Sequence, residues 1–360
     1  MYARYAPSFR IELEGETLEH GTNVDVLSVS VTENANEADS FAISLRDRHA
    51  ESGRFPSGAR LKWLDHEDLQ EGKKVTISMG YVNDMRIMMK GEITALAPSF
   101  PENGQPRISV RGFSLYHRLT RERRRKPFKA TTDSGIAREV ASALGLTPDV
   151  DETSAEQPLV SPKGETYHAI LSQRAQRIGF ELAVKLDRLI FKKPAYIDRP
   201  DPELTLEWGR DLRRFTPRLR TYGLYTEVTV RGPQTSQGGG KEPWVGTASA
   251  GDERQKLGDE SASQIALGRF EENRYTHPDH NIRSQEEAQD IAVAKLEEKS
   301  LEFITGGGSC MGRTDLQART VVEIKGVGER FSGPYYVTQV THTIDTNGYR
   351  SDFKVKRNAL

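Results

Sequence analysis

The run FSGPYYVTQVTHTIDTNGYRSDFKVKR, residues 331–357, sets the terms for the whole chain. VTQVTHTID alternates apolar and polar residues, and so do the residues after the polar turn that follows it. That period of two is the mark of a half-buried strand. His342 stands alone on the alternating stretch. A base or metal ligand needs partners that converge on it, and the sequence nominates none. The run is therefore read as β-scaffold, with Phe331, Tyr335 and Tyr336 packing a core or a subunit contact.

An earlier segment has the same plan. KVTISMGYVNDMRIMMKGEITALAPSFPENGQPRISVRG, residues 74–112, runs strand, glycine turn, strand, polar turn, strand. TVVEIKGVGERFSGPYYVTQVTHTIDTNGYRSDFKVKR, residues 320–357, does likewise. Val75 and Ile77 match Val322 and Ile324, and Ile87, Gly91 and Ile93 match the region from Tyr335 to Val340. The tripeptide Val110-Arg111-Gly112 recurs as Val230-Arg231-Gly232. Long shared plans point to an internal duplication.

Working outward, FRIELEG (9–15), VLSVSVTEN (26–34) and SFAISLRD (40–47) add strands before the first echo, with residues 48–72 irregular. After residue 120, TTDSGIAREVASALGL predicts a helix capped by Thr132 or Asp133. Its apolar face is Ile136, Val140 and Leu144, and Gly145 offers a stop. Residues 147–164 read as loop. A second helix spans about 165–178 and stops at Gly179. FELAVKLDRLIFKKP reads as a hairpin turning near Asp187-Arg188. Phe215 to Gly232 returns to strand, and GPQTSQGGGKEP reads as a flexible loop. SQEEAQDIAVAKLEEKSLEF predicts a helix with a Ser284/Glu287 capping box and a buried stripe of Ala288, Ile291, Ala292 and Leu296.

Composition sets the class. The chain has 360 residues and a formal net charge of -1, so no global field draws it to nucleic acid or an anionic surface. Its single cysteine, Cys310, excludes an intrachain disulfide and a four-cysteine zinc site. No run approaches the ~18 apolar residues of a membrane helix, and residues 1–15 show no secretory signal pattern.

Taken in order, five pieces resemble the baseplate hub family of contractile tails, the late control protein D of phages and the N-terminal hub region of VgrG-like proteins. They are GEITALAP; SLYHRLTRERRRKPFKATT leading into a helix; ETYHAILSQRAQRIGFELAV with LIFKKP; FTPRLRTYGLYTEVTVRG; and the closing run. The resemblance covers nearly the full length. It implies a mainly β fold with α+β insertions and two similar small antiparallel β-barrel domains per chain. Three subunits would then form a pseudo-sixfold ring. It implies a homotrimer that adapts a hexameric tail tube to a trimeric spike, alongside other baseplate proteins. The expected domains are 1–120, a first barrel; 121–208, an α+β insertion; 209–232 with 303–360, a discontinuous second barrel; and 233–302, an inserted loop and helix region. Because the chain stops at Leu360 after the second barrel, a separate spike protein is expected, with Leu360 facing it. The expected place is the cytoplasm during synthesis and assembly, then the baseplate of a phage tail or injection particle.

Other site-like signals read as scaffold. His277-Pro-Asp-His280 could bring two imidazoles and a carboxylate to a metal, but no third ligand is spaced to help, so it is read as a surface loop. TRERRRKPFK is basic without regular aromatics, so Arg123, Arg124 and Arg125 are expected to meet a neighbouring subunit or line a channel. Nucleic acid is expected at most in transit through that channel. The glycine runs 238–240 and 306–308 lack the following Lys-Ser or Lys-Thr of a phosphate loop. Cys310 reads as a small buried or interfacial residue. No catalytic residue, cofactor or metal is expected. The alternative is a particle-borne cell-wall hydrolase, and a third reading, nucleic-acid binding, rests on residues 121–129 alone.

Overall fold

A computed structural model describes residues 6–18, 25–47, 61–124, 126–162, 164–234 and 243–360. The first β unit contains β1 (Pro7–Leu13), β2 (Glu16–Thr17), β3 (Val26–Asn34), β4 (Ser40–Arg46), β5 (Lys74–Tyr81), β6 (Asp84–Ser99) and β7 (Arg107–Ser114). Alternation puts Val29, Val31, Ile43, Leu45, Val75, Ile77 and Val110 on one face, where they form a core with Trp63. Asp47 holds the Trp63 segment by accepting from the backbone N–H groups of Trp63 and Leu64 at 3.1 and 3.0 Å.

An α+β module follows: α1 (His117–Arg121), β8 (Phe128–Thr132), α2 (Asp133–Ala143), β9 (Thr147–Val150), β10 (Glu156–Val160), α3 (Tyr167–Ile178), β11 (Glu181–Lys185), β12 (Arg188–Lys192) and α4 (Ala195–Asp198). Thr132 is the N-cap of α2, accepting from Gly135 N–H at 3.1 Å, while Asp133 instead pairs with Arg174. The expected hairpin is β11–β12, joined at Lys185↔Arg188. The stretch 147–164 is not a loop throughout. β9 pairs in parallel with β12, and β10 pairs with β8. Both are edge strands, where a proline's missing N–H is tolerated.

The second β unit holds β13 (Leu204–Glu207) and β14 (Leu212–Leu219). A subdomain then intervenes: β15 (Glu227–Gln234), β16 (Pro243–Ser249), α5 (Ala262–Arg269), β17 (Arg274–Pro278) and α6 (Gln285–Ser300). β18 (Ile304–Met311), β19 (Val321–Lys325), β20 (Gly333–Asp345) and β21 (Gly348–Arg357) complete the unit. Three placements differ from the sequence reading. β13, assigned to the α+β module, pairs with β19. Phe215–Gly232 is two strands in different sheets, because β15 joins β16 and β17 rather than β14. The region 233–302 is thus no mere loop and helix. Its sheet packs on α6 through Val228, Val230, Ala288, Ile291 and Leu296.

The capping box of α6 is half made. Ser284 Oγ accepts from Glu287 N–H at 3.1 Å, but the Glu287 carboxylate turns to Arg283 N–H and to Arg177, both closer than 2.8 Å.

The internal echo extends beyond the two meanders. The first unit has the strand order β3-β4-β7-β6-β5-β1, and the second has β14-β18-β21-β20-β19-β13. Taken pairwise, these are the same strands in the same sequence order. The registers agree rung by rung. Glu92, Ile93, Ala95 and Leu96 face Phe113, Gly112, Arg111 and Val110, with a bulge at Thr94. Tyr336, Val337, Gln339 and Val340 face Lys356, Val355, Lys354 and Phe353, with a bulge at Thr338. β3 and β14 also share a register shift near their starts, at Val26/Ser28 and Leu212/Arg214. The pairing of Val75 with Val322 and Ile77 with Ile324 follows from these registers. The repeated Val-Arg-Gly does not, since Val230 lies in the inserted sheet. One difference is topological: β1 runs antiparallel to β5, whereas β13 runs parallel to β19.

The fold is mainly β and antiparallel, and both units belong to one 13-stranded sheet. Among the described residues its ladders form an open path. The glycine run 306–308 lies inside that sheet. A Cβ at Gly308 would come within 2.5 Å of the Phe353 ring and 2.7 Å of Arg214 O, so the aromatic ring takes the space a side chain would fill.

Candidate functional site

His342 is fully buried on β20. Its Nε2 lies 3.1 Å from Leu316 O, which can only accept, so Nε2 carries the proton. Nδ1 then accepts from the hydroxyls of Tyr349 and Ser351, each at 3.0 Å. Burial lowers its pKa, which favours the neutral ring that these contacts need. Cys310 is likewise buried, and burial pushes its thiol up to about 12. A thiol held that far from ionising is a poor nucleophile.

The expected loop at 277–280 begins in strand β17. Burial pushes the Asp279 carboxyl up, but the hydrogen bonds from Arg177 and the Asn281 N–H outweigh it and hold the group below its usual range. Arg177 bridges Asp279 and Glu287 at 2.6 Å each, tying α3 to the inserted subdomain. Among the described residues no group of three or more His, Cys, Asp or Glu side chains is placed to hold a metal ion.

The basic run starts at the end of α1 and ends in β8. Arg124 stacks over Phe128 with its guanidinium carbon 4.1 Å from the ring centroid and reaches Glu139 at 2.6 Å. Arg123 is exposed and donates to Gly164 O at 2.9 Å. Arg125 lies outside the described residues, as does the glycine run 238–240. Leu360 is held at both ends of its peptide. Its carbonyl accepts from Asp259 N–H at 2.6 Å, and its N–H donates to Glu260 O at 3.0 Å.

The most unusual chemistry lies where the two β units meet the module. β20 pairs with β3 from Gln339↔Asn34 to Asp345↔Ser28. Thr32 and Thr341 share a hydroxyl contact at 3.0 Å, and Gln339 Nε2 donates to Asn34 Oδ1 at 2.6 Å. Ile344 and Tyr349 of the second unit enter the first unit's core. Beneath this joint, Glu33, Asp39 and Glu181 are all buried around Arg319. Arg319 donates to Asn34 O and sits 3.9 Å from Asp39. Glu33 accepts from Ala318 N–H at 3.2 Å, with Lys185 at 4.0 Å. Glu181 accepts from the Tyr336 hydroxyl.

Burial raises Asp39 to about 7 against the pull of Arg319, helped by the nearby Glu33 charge. Burial also raises Glu181 to about 7, against the Tyr336 hydrogen bond and Arg319. A cleft of about 540 Å³ opens beside this cluster, lined in part by Asn34, Glu181, Tyr196, Tyr336, Glu297 and Lys356. The sequence reading missed the cluster. Its only signal was Glu33, an acid on the apolar side of an alternating strand.

The outer edges differ from the joint. β6 pairs with β5 only up to Glu92, so Ala95–Ser99 has β7 on one side and no strand on the other among the described residues. β14 has β18 on one side, and on the other only an isolated bridge from Trp208 to Leu212. Phe100, just beyond β6, is 62 % exposed.

Comparison with known proteins places this arrangement. The chain belongs to the family described as the Alg8 N-terminal domain, whose model matches residues 4–346. That description names no reaction or ligand. No curated protein sequence matches the chain. Among solved structures, the chain is similar to the 43 kDa tail protein of prophage MuSo2 from Shewanella oneidensis, at 13 % identity and TM-score 0.72, covering 98 % of each chain. It is similar to the tail protein from Neisseria meningitidis MC58, at 15 % identity and TM-score 0.71, covering 98 % of this chain and 97 % of that one. It also resembles an E. coli type VI secretion component described as similar to the T4 tail proteins gp27 and gp5. There identity is 12 % and TM-score 0.56, with 97 % of this chain and 77 % of that one covered. The fold is that of tail and baseplate proteins and of VgrG-type components.

Proposed function

We propose that the chain is a non-enzymatic structural hub of a contractile phage tail or injection particle. It assembles as a homotrimer that joins a hexameric tail tube to a trimeric spike. The observation that carries this reading is the repeated unit: six strands occur twice in one chain in the same order, five of them in matching register. Three such chains offer six near-equivalent units, which suits a sixfold surface at one end and a threefold one at the other. Shared fold with tail proteins supports the same reading. On it the protein is made in the cytoplasm and incorporated into a baseplate, and Leu360 faces the spike.

The site-like residues fit a structural role. His342 and Ser351 resemble a base and its nucleophile at 3.0 Å, but both are sealed from solvent. Light scattering at micromolar concentration tests the proposal and should give three subunits. Negative-stain images should show rings with six lobes. A species that stays monomeric with tube and spike proteins present overturns it.

A further inference from the structure

We propose that copies of this chain join edge to edge. β14 of one copy pairs with the second half of β6 of the next, in the register that β3 and β20 use within one chain. The occupant, a second copy, rests on the hub reading above; the residues and register rest on the repeat.

The argument is one of equivalence. β14 stands in its unit where β3 stands in the first, and β6 stands where β20 stands in the second. Within the chain, β3 and β20 are paired. Their counterparts, β14 and the end of β6, are both left without a strand on one side among the described residues. They do not pair with each other within the chain, in which seven strand spacings separate them along the sheet. A second copy brings them together with the strand directions already proven at the internal joint.

Equivalence also fixes the rungs. Gln339↔Asn34, Val340↔Glu33, Thr341↔Thr32 and Ile344↔Val29 become Ala95↔Arg220, Leu96↔Leu219, Ala97↔Arg218 and Phe100↔Phe215. Phe100 thus occupies the place of Ile344. Ile344 is only 6 % exposed because the neighbouring unit covers it, whereas Phe100 is 62 % exposed. Leu96 and Phe100 would pack on Leu219 and Phe215, both of which are already half-buried. Pro98 and Pro217 fall opposite each other. That rung lacks both donors, so the ladder between copies is carried by the rungs on either side of it. The β6 edge, Thr94–Phe100, has no charged residue, so the arginines of β14 meet no like charge there.

Cysteine pairs test the register. Cys310 is buried and inert, so only introduced thiols respond. Ala97→Cys with Arg218→Cys places two thiols on one predicted rung. Ala97→Cys with Thr216→Cys shifts them by two residues, about 7 Å along the strand, beyond disulfide reach. Mild oxidation of the full chain, read on a non-reducing gel, should link the first variant into covalent dimers and trimers. The second variant should link at least about tenfold less. A separate variant, Phe100→Asp, should weaken assembly at least about tenfold without lowering the Tm of the dissociated chain, because Phe100 is exposed there. If light scattering shows a trimer but the two cysteine variants link equally or not at all, the pairing is wrong and the hub reading stands. A chain that stays monomeric overturns both.

Discussion

The two β units share a ladder plan but differ in what hangs from it. The first turns from β3 to β4 through the short stretch Ala35–Asp39. The second holds the whole inserted subdomain between β14 and β18. Yet the register shifts at Val26/Ser28 and Leu212/Arg214 persist on either side of that difference. Strand pairing is set by backbone bonds and alternation, so it tolerates a large insertion at a loop. The contents of the joint are another matter. The first unit brings Glu33 and Asp39, the second brings Arg319 and Tyr336, and the module adds Glu181 and Lys185. The repeat makes the scaffold, and unrepeated polar residues lock one copy of it to the other.

The strongest way to break this comparison is at Arg319. Arg319→Met removes the buried cation that faces three buried carboxylates. Leaving buried charge uncompensated costs about 3–5 kcal/mol. Chemical denaturation should show that loss, with the two units separating before the rest unfolds. A loss under ~1 kcal/mol would mean that the joint stands on its ladder alone.

The repeat itself is tested at two adjacent glycines of β18. Gly308→Ala drives a methyl into Phe353 and should cost about 1–3 kcal/mol. At Gly307 the nearest atom to an added Cβ is Phe353 O at 3.6 Å, so Gly307→Ala should stay within about 0.5 kcal/mol. Equal effects would show that the aromatic packing does not demand glycine.

The joint also has a pH signature. Asp39 and Glu181 are raised to about 7 when folded, whereas unfolded carboxyls release their protons near about 4. Between those values the folded state binds more protons. Stability is therefore full below about 4, falls as pH rises toward about 7, and is level above it. Glu181→Gln cannot ionise, so it should flatten part of that slope and raise Tm at about pH 8. The gain should be on the order of 1 kcal/mol, roughly 2–4 °C. A slope unchanged in the variant would remove Glu181 from the account.

These tests fall on residues that sequence reading treated unevenly. Val75, Ile77, Val322 and Ile324 announced the repeat, because alternation is a local signal. β15 shows the limit of that signal. Val228 and Val230 alternate properly, but alternation identifies a strand without naming its sheet. β9 and β10 were hidden by their prolines, which edge strands accept. The joint was hidden for a different reason. Glu33, Asp39, Glu181 and Arg319 come from three regions of the chain, and nothing local marks them as neighbours. Phe100 and the end of β6 read as an ordinary strand, and only the paired state of its counterpart reveals a vacancy.

The smallest expected effect is at the basic run, where the sequence suggested the largest charge-driven contact. Arg124 is already engaged by Glu139 and Phe128, whereas among the described residues the Arg123 side chain donates to the Gly164 carbonyl. Glu139 is half exposed, so the Arg124 pair is a surface one, worth about 0–1 kcal/mol before screening. Arg124→Ser should thus cost at most about 1 kcal/mol, part of it from the lost ring contact, and Arg123→Ser less than about 0.5 kcal/mol. For assembly the order should reverse. Of the two, Arg123 has the freer charge, so it is expected to contribute more to a contact with a neighbouring subunit. Its loss should weaken trimer formation in low salt and matter little near ~0.5 M, where the screening length is a few ångströms. Sedimentation of Arg123→Ser and Arg124→Ser across a salt series separates the two roles. Equal salt dependence in both variants would assign this run to the single chain and leave the strand edges as the assembly surface.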